Sequence, residues 1–135
     1  MTVIRSIDTV CVVDDDEIYV YGIRKLITLK KMCNDLIEFP NGKEAIDFLE
    51  NPDNTSKLPD VIFLDISMPV MDGWDFMENF AKIKPRLGKK ITVYMVSSSI
   101  NDEDINRAKS ISDVTDYVVK PVTYDKLVEL FQLAA

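Results

Sequence analysis

Two adjacent carboxylates, Asp14 and Asp15, follow the apolar run Thr9 to Val13, and a third, Asp65, follows Val61 to Leu64. Ser97 follows Ile91 to Val96, and Lys120 follows Thr115 to Val119. Each polar side chain stands where a β-branched or bulky apolar segment stops, and such segments read as strands buried on both faces. If they are parallel strands of one sheet, the polar residues meet at its C-terminal edge, where open α/β sheets build ligand sites. Three acids, a hydroxyl and an ammonium then converge. Carboxylates held that close repel, and burying them without a cation raises at least one pKa and weakens the fold. A divalent ion removes the penalty. Magnesium suits the set, because it takes one or two carboxylates, keeps several waters and completes its shell with phosphate oxygens. The run Asp14-Asp15-Asp16-Glu17 lacks the alternating ligands, the glycine and the distal Glu of an EF-hand loop.

With that charge neutralised, the Asp65 carboxylate can attack a phosphoryl group while Lys120 and the Ser97 hydroxyl bind its oxygens. Phosphoryl transfer depends mostly on positioning and charge stabilisation, so these few parts are sufficient, and the product is an acyl phosphate on the protein itself. Each residue also has a plainer role open to it: strand-end acids cap turns, serine triplets are loops, and Lys-Pro pairs are turns. The joint occurrence on separate strand ends favours the chemistry. An interaction module that is never phosphorylated would not require the acid pair, Asp65, Ser97 and Lys120 together. A phosphatase with an aspartyl nucleophile generally needs a second acid two residues further on, where this chain has Ser67.

The elements that must position these groups follow in order. A helix starts at Glu17 and runs to about Lys30, with Ile18, Gly22, Ile23, Leu26 and Ile27 at helical spacing. Leu36 to Phe39 is a short strand closed by Pro40-Asn41-Gly42, and Ala45, Ile46 and Leu49 mark a second helix. Asn51 to Pro59 reads as a polar surface loop. After Asp65, Pro69 and Gly73 break regular structure; Trp74, Met77, Phe80, Ala81 and Lys84 then give a third helix, ended by Lys84-Pro85 and Gly88. Asn101 to Asp104 places a cap and acids at a fourth helix with Ile105, Ala108 and Ile111 inside. Thr123 caps a fifth, with Leu127, Val128, Leu130 and Phe131 inside, closed by Ala135. Five strands alternating with five helices predict a parallel sheet covered on both faces.

Composition narrows the classes further. In 135 residues, 47% hydrophobic and 29% charged, there is room for one core and little more, so a single domain over 1–135 with no output domain is expected. A net charge of -7 disfavours nucleic acid or an anionic membrane as partner and points to protein. The N-terminus Met-Thr-Val-Ile-Arg-Ser-Ile-Asp is unlike a secretory leader, and no apolar run is long enough for a bilayer, so a cytoplasmic protein is expected. Cys11 lies within a strand pattern and Cys33 follows a helix; both read as packing thiols. The absence of histidine removes imidazole acid-base chemistry and the usual zinc sets.

The segments Val12-Val13-Asp14-Asp15, Leu64-Asp65, Met68 to Gly73 (Met-Pro-Val-Met-Asp-Gly), Val96-Ser97 and Val119-Lys120-Pro121 resemble the receiver domain of bacterial response regulators, in this order and over nearly the whole chain. The resemblance implies the flavodoxin-like strand order 2-1-3-4-5. It implies Asp65 as the phosphorylated residue, Asp15 and Asp65 as direct magnesium ligands with the Ser67 backbone carbonyl, and Asp14 as the other acid. Ser97 becomes the switch hydroxyl, Lys120 the phosphate-binding lysine, and Tyr117 the aromatic that changes rotamer. A cis Lys120-Pro121 bond is implied too. The partners implied are a histidine kinase or phosphotransfer protein that loads Asp65 and a downstream target protein that reads it. One departure stands out: between Ile111 and Tyr117 the chain reads Ser-Asp-Val-Thr-Asp, without the usual small turn and one residue longer.

Overall fold

The structure, a computed structural model, describes residues 7–134. The N-terminal reading and the closing role of Ala135 therefore lie outside the described residues. Five strands, β1 (Ile7–Val13), β2 (Cys33–Phe39), β3 (Val61–Leu64), β4 (Thr92–Ser97) and β5 (Val114–Val119), form one parallel sheet in the order β2-β1-β3-β4-β5. Helices α1 (Glu17–Leu29), α2 (Gly42–Glu50), α3 (Gly73–Leu87), α4 (Asp102–Ser110) and α5 (Tyr124–Ala134) alternate with them. This is the flavodoxin-like arrangement expected. No described helix is long and apolar enough to cross a membrane.

Strand alternation divides the interior. Cys11, Val13, Ile62, Leu64, Val93 and Met95 face α2 and α3, whereas Val10, Val12, Val61, Phe63, Tyr94 and Val96 face α1 and α5. The central strands β3 and β4 are buried at every position, while the edge strands β2 and β5 are buried only in part. On the second face Phe63 stacks between Tyr94 and Phe131, and the buried Tyr94 hydroxyl donates to the Leu130 carbonyl at 2.8 Å, fixing α5 to β4. Helix α4 is anchored least, with Ala108 its one buried residue and Ile105 and Ile111 half-buried.

The structure corrects several local expectations. Ile18 is 86% exposed: the inner stripe of α1 runs through Val20, Ile23 and Ile27 with Tyr19 at its edge, and Ile18 shares the outward face with Gly22 one turn on. Ala81 is also outside, since the stripe of α3 passes through Met77, Phe80, Ile83 and Leu87. Lys84-Pro85 does not end α3. Proline on the exposed side forfeits one bond in the last turn, burial of Leu87 carries the helix on, and Gly88 then closes it in the left-handed region at φ 66°. Strand β2 begins at Cys33 rather than Leu36, because edge pairing with β1 is a backbone matter and leaves Asn34 and Asp35 exposed. The polar loop after α2 contains a 3-10 helix over Pro52–Lys57, capped by Asn51, whose side chain accepts from the Asp53 amide at 3.0 Å.

The extra residue before Tyr117 is absorbed as a bulge. Val93 pairs with Val114 but Tyr94 pairs with Asp116, so Thr115 is left without a partner. The bulge resets the parity of β5, which places Val114 and Tyr117 together on one face and Val118 on the other.

Candidate functional site

Register brings the predicted residues to one edge. Val13 pairs with Leu64, so the next residues, Asp14 and Asp65, emerge side by side; the Asp65 amide donates to the Val13 carbonyl at 2.9 Å and the Asp14 amide to that of Phe39 at 3.0 Å. Across β4, the Lys120 amide donates to the Ser97 carbonyl at 2.9 Å. One carboxylate oxygen from each of Asp14, Asp15 and Asp65 lies within 4.8 Å of the others. The Lys120 ammonium reaches this cluster, 2.8 Å from Asp14 Oδ2 and 3.8 Å from Asp65 Oδ1. The Lys120-Pro121 bond is cis, as expected.

The four consecutive acids have separate uses. Asp14 is buried, and its Oδ1 accepts the Asp16 amide at 2.9 Å; Asp15 points to solvent at the mouth of the cluster; Asp16 caps α1 by accepting from the Ile18 and Tyr19 amides. Glu17 sits in the first turn, complementing the helix dipole.

The loop after Asp65 is held by two glycines. A Cβ on Gly73 would stand 2.4 Å from the Asp65 carbonyl oxygen, and the Gly73 amide donates to the Ile66 carbonyl at 2.8 Å, so α3 starts directly against the aspartate's backbone. Gly42 donates to the Met71 carbonyl at 3.0 Å, where a Cβ would meet that oxygen at 2.9 Å. Between them Val70 has φ 67°, bridged by a Met71 amide to Pro69 carbonyl bond of 2.7 Å, which marks a three-residue turn. Ser67 and Asp15 border one open cleft with Trp74 and Asp104.

Burial lifts the Asp65 carboxyl to about 6, with the neighbouring Asp14 charge adding to the rise and Lys120 opposing it. Asp14 is raised as well, chiefly by burial, against the pull of its contact with Lys120. Although the Lys120 ammonium is 2.8 Å away, Asp14 Oδ2 accepts no hydrogen bond among the described residues. Three carboxylates facing one ammonium leave two negative charges uncompensated when all are ionised. An under-satisfied buried oxygen and an all-oxygen acid set fit a hard divalent cation.

Ser97 and Tyr117 are joined through Ser99. The buried Ser97 hydroxyl oxygen accepts from the Ser99 amide at 3.1 Å, leaving its own proton free to donate. The Tyr117 hydroxyl donates to the Ser99 carbonyl at 2.8 Å, and the Ser99 hydroxyl donates to Asp104 at 2.8 Å. Tyr117 is thus half-buried and docked on the loop rather than turned away from it.

Tyr19 is a member of the site that no motif in the sequence marks. Counting back one turn from Ile23 puts it at the site end of the inner face of α1. Its hydroxyl is buried without a hydrogen-bond partner among the described residues, and its ring centroid lies 4.2 Å from the Lys120 ammonium. Burial first, then the Asp14 and Asp65 charges, push the phenol up, so the ring stays neutral at physiological pH.

Comparison with known proteins places this geometry in a family. The family model for the response regulator receiver domain matches residues 10–132. The chain belongs to that family. It is 34% identical over 118 residues to the sensor histidine kinase CheAY of Helicobacter pylori, covering 87% of this chain and 14% of the kinase. It superposes on a two-component response regulator from Cytophaga hutchinsonii with TM-score 0.86 at 28% identity, covering 96% of this chain and 98% of that one. A second similar structure is the phosphorylated cyanobacterial phytochrome response regulator RcpA, with TM-score 0.71, 26% identity and coverage of 94% and 90%. The chain spans between 7% and 55% of the length of three curated relatives it matches.

Proposed function

We propose that this receiver domain is a phosphoacceptor switch in which Asp65 takes a phosphoryl group from a histidine kinase or phosphotransfer protein and the loaded form binds a downstream protein. The observation that carries the reading is the meeting of Asp14, Asp15 and Asp65 within 4.8 Å, with the Lys120 ammonium against two of them.

Asp15 and Asp65, together with Asp14 and the Ser67 backbone carbonyl, would hold magnesium. Bound there, the ion offsets the carboxylate charge and that of the incoming phosphoryl oxygens. An Asp65 carboxylate oxygen forms the new bond to phosphorus while the donor's bond to phosphorus breaks and the leaving group departs with that electron pair. Lys120 pairs with a phosphoryl oxygen, and Ser97, whose proton is free, donates to another. Reaching that oxygen draws the Ser97 hydroxyl toward Asp65 together with the Ser99 amide bonded to it, so loading Asp65 biases the loop on which Tyr117 is docked. The weak anchoring of α4 by Ala108 lets that loop and helix respond.

Incubation with a small phosphodonor, followed by intact-mass measurement, tests the reading. One added phosphoryl group with magnesium and none in chelator is the expected result. No addition under either condition would overturn it.

A further inference from the structure

We infer that Tyr19 is a positioning residue for Lys120, its ring forming the third wall of the pocket that aims the ammonium at the phosphoryl site. The inference rests on the phosphoacceptor reading above and adds a component which that reading does not require.

Lysine carries a point charge on a flexible four-carbon stem, so reaching two carboxylates does not by itself fix it. Here the ammonium is bounded on three sides: Asp14 Oδ2 at 2.8 Å, Asp65 Oδ1 at 3.8 Å and the Tyr19 ring centroid at 4.2 Å. An aromatic face at that distance attracts a cation through its quadrupole, and more strongly where water is excluded. The Lys120 side chain is 15% exposed, which is a largely dry setting. The ring is itself held. Tyr19 packs against the apolar cluster beneath α1 and α5, and its amide donates to the Asp16 cap, which follows the acid pair directly in sequence.

The unpartnered hydroxyl shows which part of Tyr19 matters. A buried phenol oxygen with no hydrogen bond contributes nothing to the wall and carries a desolvation cost, whereas the ring makes the contact. The ring offers no hydrogen-bond acceptor to compete for the ammonium. Lys120 can therefore leave Asp14 for a phosphoryl oxygen on Asp65 while keeping the aromatic contact throughout.

Tyr19→Phe keeps the ring and removes the oxygen; Tyr19→Leu keeps apolar bulk and removes the ring. Phosphorylation rates with a small phosphodonor and magnesium should stay near wild type for Tyr19→Phe and fall about threefold to tenfold for Tyr19→Leu. A structural role alone would not predict the second readout. The Lys120 ε-methylene protons, assigned by their loss in Lys120→Arg, should show a ring-current shift that survives in Tyr19→Phe and vanishes in Tyr19→Leu. Wild-type rates in Tyr19→Leu, or Lys120 resonances that do not move, would overturn the assignment. Should Tyr19→Leu not fold, equal loss of rate or of the shift in Tyr19→Phe would overturn it as well. Labelling of Asp65→Asn is run in parallel. Phosphate retained there defeats the phosphoacceptor reading itself, whereas failure confined to the Tyr19 variants defeats only this inference.

Discussion

The Tyr117 hydroxyl donates to the Ser99 carbonyl oxygen at 2.8 Å, tying β5 to the loop that carries the Ser97 hydroxyl. Tyr117→Phe removes this bond while leaving the ring. Loss of a partly buried hydrogen bond of about 1 kcal/mol should speed amide exchange in Ser98 to Asn101 by about fivefold. Phosphorylation of Asp65 should persist, since the hydroxyl lies outside the acid cluster. Unchanged exchange in that loop would show that the bond does not restrain it.

Asp15 is the exposed member of the acid cluster, so its removal should spare the fold and weaken the metal. Asp15→Ala is expected to reduce magnesium affinity by about tenfold or more and to slow phosphorylation at limiting magnesium. A magnesium titration followed by Trp74 fluorescence, Trp74 bordering the same cleft as Asp15, measures it. An unaltered titration would remove Asp15 from the ligand set.

The Asp65 carboxyl titrates at about 6 in the folded chain, against about 3.9 when unfolded. Between those values the folded form binds more protons, so the contribution is fully present below about pH 4 and is lost as pH rises through about 6. Asp14, raised also, acts with the same sign. In chelator, urea unfolding should therefore give lower stability at about pH 7.5 than at about pH 5, with Asp65 responsible for on the order of 1 kcal/mol of that difference. Asp65→Asn should be the more stable protein at neutral pH and lose most of that dependence. Stability that instead rises between these pH values would contradict the burial of the cluster.

The loop after Asp65 makes two opposite demands on side chains. Gly73→Ala pushes a Cβ into the Asp65 carbonyl and should destabilise by about 2–4 kcal/mol while impairing phosphorylation. Val70, 82% exposed at φ 67°, has little packing to lose. Val70→Gly removes the Cβ that disfavours a positive φ and should stabilise by about 0.5–1 kcal/mol. Urea midpoints moving the other way at either position would refute the geometry of the turn.

The strand ends were legible because a parallel strand buried on both faces is a plain apolar run, and the polar residue that stops it stands out. That is how Asp14, Asp65, Ser97 and Lys120 could be placed on one edge before any pairing was known. Edge and surface features were less legible. The early start of β2 depends on backbone pairing that Asn34 and Asp35 do not signal, and the Thr115 bulge shows in the sequence only as one residue too many. Pro85 misled because a proline in the last exposed turn of a helix costs less than one in its middle. Tyr19 was hidden by Ile18: the more hydrophobic side chain drew the helical phase, and the structure turned it outward.

Asp65 itself is the proposed acceptor of the phosphoryl group. Borohydride reduction of the phosphorylated protein converts an aspartyl phosphate to homoserine, and peptide mapping by mass spectrometry then locates it. Homoserine is expected at position 65 alone, formed only when both phosphodonor and magnesium were present. Homoserine at any other aspartate, or its absence from position 65 in protein that has gained a phosphoryl group, would contradict that assignment.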